Sequence, residues 1–144
     1  MWYEVVLEEP YLFDYLKEFY WPDLRKSNTF DAWDCISDIE KKFIELKSRR
    51  THYDDLLIEK IKYDKIISGA FFLGLTPHYI SATPQGVWDF DLIKIGVPIW
   101  SERMMPTTTD FENTDDKIKI VGFLPISQGV QLWSMDTSVS ADLQ

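Results

Sequence analysis

The chain has 144 residues, 45% hydrophobic and 15% aromatic, which fits one domain whose core needs no disulfide staple. Its 15 basic and 24 acidic side chains give a net charge of -9, and that balance argues against direct binding to nucleic acid, which needs Lys and Arg to replace counterions. One cysteine, no basic leader with an apolar run behind it, and no stretch of about eighteen apolar residues make a reducing, cytoplasmic setting the expectation, without secretion or a membrane span.

The charge is uneven. Residues 1–40 hold three basic and ten acidic side chains, 41–65 eight and five, 66–100 one and two, and 101–144 three and seven. Acid at both ends suits a basic partner, or simply solubility.

In chain order, Trp2, Tyr3, Val5, Val6 and Leu7 mark a short first strand over residues 2–8. Glu9 and Pro10 then open a helix, because Pro suits the first helical position and acid suits the positive end of the helix dipole. Leu12, Phe13, Leu16, Phe19 and Tyr20 recur at helical spacing until Trp21 and Pro22 end it. A second helix is predicted from a cap at Asn28 or Thr29 to Arg49 and Arg50. Trp33, Ile36, Phe43 and Leu46 form its apolar stripe, Asp34 and Glu45 lie off that stripe with other charged residues, and Cys35 is a buried inert thiol within it. Thr51 and Asp54 have capping-box spacing, so a third helix is expected over about 52–66, although Leu57, Ile61, Tyr63 and Ile67 also share one face of a strand.

Beyond Ile67 the pattern turns to β. Residues 70–75 form an apolar run suited to a strand buried on both faces, although periodicity alone does not exclude a helix, Thr76 and Pro77 break it, and 78–83 reads as the next strand. Pro84 to Gly86 makes a turn. Trp88, Phe90 and Leu92 fall on one face of the following strand and Asp89 and Asp91 on the other, while Ile93 and Ile95 on the acidic face imply a bulge or a change of cover. Residues 101–116 read as a long polar loop. Residues 117–124 and 130–135 read as a final hairpin, and 136–144 as a flexible solvated tail. The expected fold is a single α+β domain over 1–135, with two to three N-terminal helices packed on one face of a mainly antiparallel sheet of about five strands.

Motifs for chemistry are sparse. Nucleophilic catalysis would need Cys35 or a hydroxyl beside His52 or His78, and no spacing singles out such a pair. The chain has no Cys pair and no His pair at helical spacing, Asp110, Glu112, Asp115 and Asp116 lack the EF-hand pattern, and Gly69 and Gly74 lack phosphate-loop spacing, so no metal or cofactor is expected. The best catalytic candidate is Asp89 with Asp91, two carboxylates about 7 Å apart on one strand face, which with His78 would stand at the mouth of an aromatic pocket. On the uncovered side of an antiparallel sheet the same pair simply faces water.

Composition therefore favours a non-enzymatic protein-binding module, an inhibitor or immunity-type protein that neutralises a basic protein partner such as a toxin or a nucleic-acid-binding enzyme. Trp100 would anchor that interface, and Glu102, Asp110, Glu112, Asp115 and Asp116 would supply its charged contacts. The alternatives are a small enzyme or ligand-binding domain with Asp89 and Asp91 at an aromatic pocket, and a structural subunit of an assembly.

Overall fold

Pro10 in the first turn and Glu9 beside it start helix α1 (Glu9–Phe19) where the sequence places it, and its Leu12 and Leu16 are fully buried. Each such leucine contributes roughly 1.5–3 kcal/mol by leaving water. The structure, a computed structural model, describes residues 6–27, 33–106 and 116–134. The first predicted strand falls mostly outside that range, and residues 6–8 are irregular.

After α1 come β1 (Arg25–Lys26), β2 (Asp34–Ser37), β3 (Lys42–Ser48), β4 (Asp55–Glu59) and helix α2 (Lys60–Leu73). Then follow β5 (Thr76–Thr83), β6 (Gly86–Asp91), the short α3 (Leu92–Ile95), β7 (Ser101–Pro106), β8 (Asp116–Pro125) and, after a 3-10 turn, β9 (Val130–Ser134). Six strands form one sheet in the order β1-β2-β3-β5-β6-β9, and three form another in the order β4-β8-β7. The α+β class stands, but the larger sheet is mixed. β3 and β5 run parallel, which their long connection through β4 and α2 permits.

Where a second helix was expected, the chain makes the β2–β3 hairpin instead. Its apolar residues point both ways: Ile36 and Phe43 enter one core cluster while Cys35, Ile44 and Leu46 enter another. A segment buried on both faces carries no clean strand alternation, so its apolar residues also satisfied a helical stripe. The Asp23 carboxylate holds the hairpin turn, accepting from Ser37 Oγ and from the Ile39 N–H, both at 3.0 Å.

The third helix starts at Lys60 rather than near 52, and it continues to Leu73, so residues 70–73 are helical and not a strand. Gly74, with φ 69°, ends it in the left-handed conformation that glycine adopts freely. At the other end of the chain, β8 and β9 do not pair as a hairpin. β8 lies between β4 and β7, whereas β9 pairs with β6. The polar stretch after Trp100 begins as strand β7, and residues 107–115 and the expected tail lie outside the described residues. Ile93 and Ile95 leave the β6 pattern because α3 begins there, capped by Asp91, while the irregularity in β6 sits between Val87 and Trp88 against β9.

The helices lie on opposite faces of the large sheet rather than on one. α1 packs on Ile44, Leu46, Ile80 and Val87, whereas α2 and the three-stranded sheet cover Phe43, Tyr79, Trp88 and Phe90. Among the described residues, no helix is long and apolar enough to cross a membrane.

Candidate functional site

The β2–β3 register sets Asp34 directly opposite Glu45. Side chains two apart on a strand share a face, so both carboxylates join Ile36 and Phe43 on the α2 side of the sheet. Asp34 is 1% exposed and Glu45 5%. Burial pushes the Glu45 carboxyl up to about 7, the Asp34 charge adds to that, and Lys62 opposes it. The Lys62 ammonium lies 3.6 Å from Glu45 Oε1, and a hydrogen bond between the Asp34 and Glu45 carboxyl groups raises Glu45 further.

Basic groups ring this pair. Lys47 follows Glu45 on the same face of β3 and is exposed, and Lys62 and Lys65 are three apart on α2, hence neighbours on one helix face. Tyr79 stands beside Glu45 in the β3–β5 register. Its hydroxyl receives a 3.0 Å hydrogen bond from Arg49 Nη2, which also donates to the Leu57 carbonyl and so ties β3, β4 and β5 together. Burial pushes the Tyr79 phenol up while Arg49 pulls it back.

Two carboxylates pressed together away from water repel, and the fold tolerates them only if a proton or a cation lies between them. A small hard cation such as magnesium commonly takes one or two carboxylates and completes its shell with water and substrate oxygens. Among the described residues no group of three or more His, Cys, Asp or Glu side chains is arranged to hold a metal ion, and Asp34 and Glu45 are two carboxylates only. Cys35 points to the opposite face, and burial pushes its thiol up to about 12, which leaves it inert as expected.

Of the residues singled out from the sequence, the fold gathers Asp89, Asp91 and His78 and leaves the others apart. Asp89 and Asp91 lie on the α1 side of the sheet, where they meet His78. His78 Nδ1 is 2.7 Å from Asp89 Oδ1, and its Nε2 is 3.9 Å from Asp91 Oδ2. The pair thus sits on a covered face rather than in open solvent, and His78 and Asp89 are buried. His52 bonds Thr83 Oγ1 at 2.8 Å and packs on Trp88. Trp100 is half-buried, edge-on to Tyr63 at 5.2 Å and against Gly122, so it contributes to the packing of α2. Glu102 and Asp116 are exposed on β7 and β8, and Asp110, Glu112 and Asp115 lie outside the described residues.

Sequence reasoning missed Asp34 and Glu45. The available signal was two acids, each embedded in an apolar run, Trp33 to Ile36 and Phe43 to Leu46, with Lys47 two residues beyond the second. Read as a helix, those acids fell on a solvated side; read as strands, they turn inward. No family model, no curated protein and no solved structure matches the chain.

Proposed function

We propose that this protein is a metal-dependent phosphodiester hydrolase in which Asp34 and Glu45 hold a divalent cation and Lys47 and Lys62 hold the phosphate. The observation that supports this reading best is the buried carboxylate pair itself, face to face on adjacent strands. A bound cation would supply charge stabilisation and an activated water. In the hydrolysis a water O–H bond and the ester P–O bond would break, a new bond would join the water oxygen to phosphorus, and the water's proton would pass to the leaving oxygen.

The total charge of -9 does not oppose an anionic substrate here. Residues 41–65, which carry Lys47, Lys62 and Lys65, hold eight basic side chains against five acidic ones, and charges beyond about 8–10 Å are largely screened at physiological salt. The expectation of a non-enzymatic binder rests on other features, the acidic ends of the chain, the acidic stretch after Trp100 and the aromatic anchors.

The test is cleavage of supercoiled plasmid and of single-stranded DNA and RNA with Mg2+ or Mn2+, by the wild type and by Asp34→Asn, Glu45→Gln and Lys47→Ala, with circular dichroism to confirm folding. Cation-dependent cleavage lost in the first two variants is the expected result. A folded wild type that neither cleaves any of these nor gains thermal stability from either cation would sink the proposal.

A second reading, a module that binds a basic protein, is favoured by the acids Glu102 and Asp116 on the exposed face of β7 and β8 and by Phe71 and Phe72, each 87% exposed. Pull-down at low salt and at about 0.5 M salt tests it. A stoichiometric basic partner that is released at high salt, and lost on Glu102→Lys with Asp116→Lys, is the outcome it requires.

A further inference from the structure

On the face of the sheet opposite Glu45, α1 stops at Phe19 and leaves the adjoining ends of β3, β5 and β6 beside a cavity of about 530 Å³. We propose that this cavity binds a small amine or amidine, held by two acceptors on its polar wall, His78 Nε2 and Asp91 Oδ2.

The roles follow from the hydrogen bonds already made. Asp89 Oδ1 accepts, so the 2.7 Å contact places a hydrogen on His78 Nδ1 and leaves Nε2 as the one ring nitrogen able to accept. Asp89 is engaged on both oxygens, its second one facing the Lys42 ammonium at 3.7 Å, and it is 7% exposed. Asp91 is aimed by its own backbone contacts. Its Oδ1 accepts from the N–H groups of Ile93 at 3.0 Å and Lys94 at 3.1 Å, which fixes the carboxylate and turns Oδ2 toward the histidine.

Nε2 and Oδ2 are 3.9 Å apart, too far to bond one another. Two acceptors at that separation suit a ligand that brings two N–H donors to one place, as an ammonium or amidinium does. The charge count agrees. Among the lining groups, Glu40, Asp89 and Asp91 oppose Lys42 and Lys94, leaving one negative charge over. Tyr20, Trp21, Ile95 and Leu132 supply apolar walls, and the Tyr20 hydroxyl donates to the Leu132 carbonyl to close one side. The ligand is therefore a compact cation with an apolar body.

Benzamidine is the probe, with benzyl alcohol as the uncharged control, followed by nitrogen NMR of the His78 ring and by calorimetry. Saturable benzamidine binding that shifts His78, is weakened about tenfold or more in Asp91→Asn, and is not reproduced by benzyl alcohol is the expected result. The Asn oxygen can still cap α3, so this variant is expected to fold; if its melting temperature drops sharply, Asp91→Ser keeps a capping oxygen and replaces it. Glu45→Gln, on the other face, is expected to leave benzamidine binding unchanged. No saturation by the folded wild type, equal binding of the alcohol, or indifference to Asp91 substitution would overturn the assignment.

Discussion

Glu45 and Asp34 face each other across the β2–β3 hairpin, both buried, and the Glu45 carboxyl rises from its ordinary 4.5 to about 7. An acid whose folded value exceeds its unfolded value keeps its proton in the fold after the unfolded chain has lost it. The stability this contributes is full below 4.5 and is lost as pH rises through 7. Urea denaturation is expected to show wild-type stability falling by on the order of 3 kcal/mol between about pH 5 and pH 8, with that slope largely removed in Glu45→Gln. Parallel curves for the two proteins would mean that Glu45 titrates normally.

Cation binding requires the ionised carboxylate. The apparent affinity for Mn2+, read from thermal shifts at a series of concentrations, is expected to rise up to about tenfold per pH unit below 7 and to level off above it. Asp34→Asn should abolish the thermal shift while retaining the fold. A shift that survives in this variant would place the cation elsewhere.

Trp100 packs on Tyr63 and over Gly122, where an added Cβ would meet Pro98 at 2.7 Å and the Trp100 ring at 3.0 Å. Trp100→Ala is expected to cost about 2–4 kcal/mol in chemical denaturation, whereas Glu102→Lys on the exposed strand changes stability by less than about 0.5 kcal/mol. Equal, small effects would make Trp100 a surface residue available to a partner.

Gly86 opens β6 with φ 150°, and a Cβ there would lie 2.2 Å from the Trp133 carbonyl oxygen of β9. Both the backbone conformation and the close approach of the neighbouring strand demand glycine. Gly86→Ala is expected to lower stability by about 2 kcal/mol or more, with amide exchange accelerating first in β9. Unchanged protection in β9 would contradict this.

Elements whose signals are local were legible in the sequence. Pro10 and the Leu12/Leu16 spacing mark α1 within a residue of its observed end, and the turn before Gly86 separates β5 from β6 as its residues suggest. Residues 34–48 were not legible as strands. Their burial on both faces erases the alternation that identifies a half-exposed strand, and what remains of the pattern mimics a helix. Residues 70–73 failed in the opposite direction, because the exposed Phe71 and Phe72 make the end of α2 look like a buried strand.

The sites show the same division. Composition and charge by themselves determined a single-cysteine chain with an acidic total and a locally basic segment over residues 41–65, since these need no pairing to be read. Tertiary structure alone decided which acids meet. Asp34 and Glu45 are eleven positions apart, and only the hairpin register brings them opposite each other. His78 reaches Asp89 and Asp91 only because β5 and β6 pair antiparallel. The reason is physical: a carboxylate's chemistry depends on what desolvates it and which charge stands beside it, and both are set by strand pairing and helix cover across the fold.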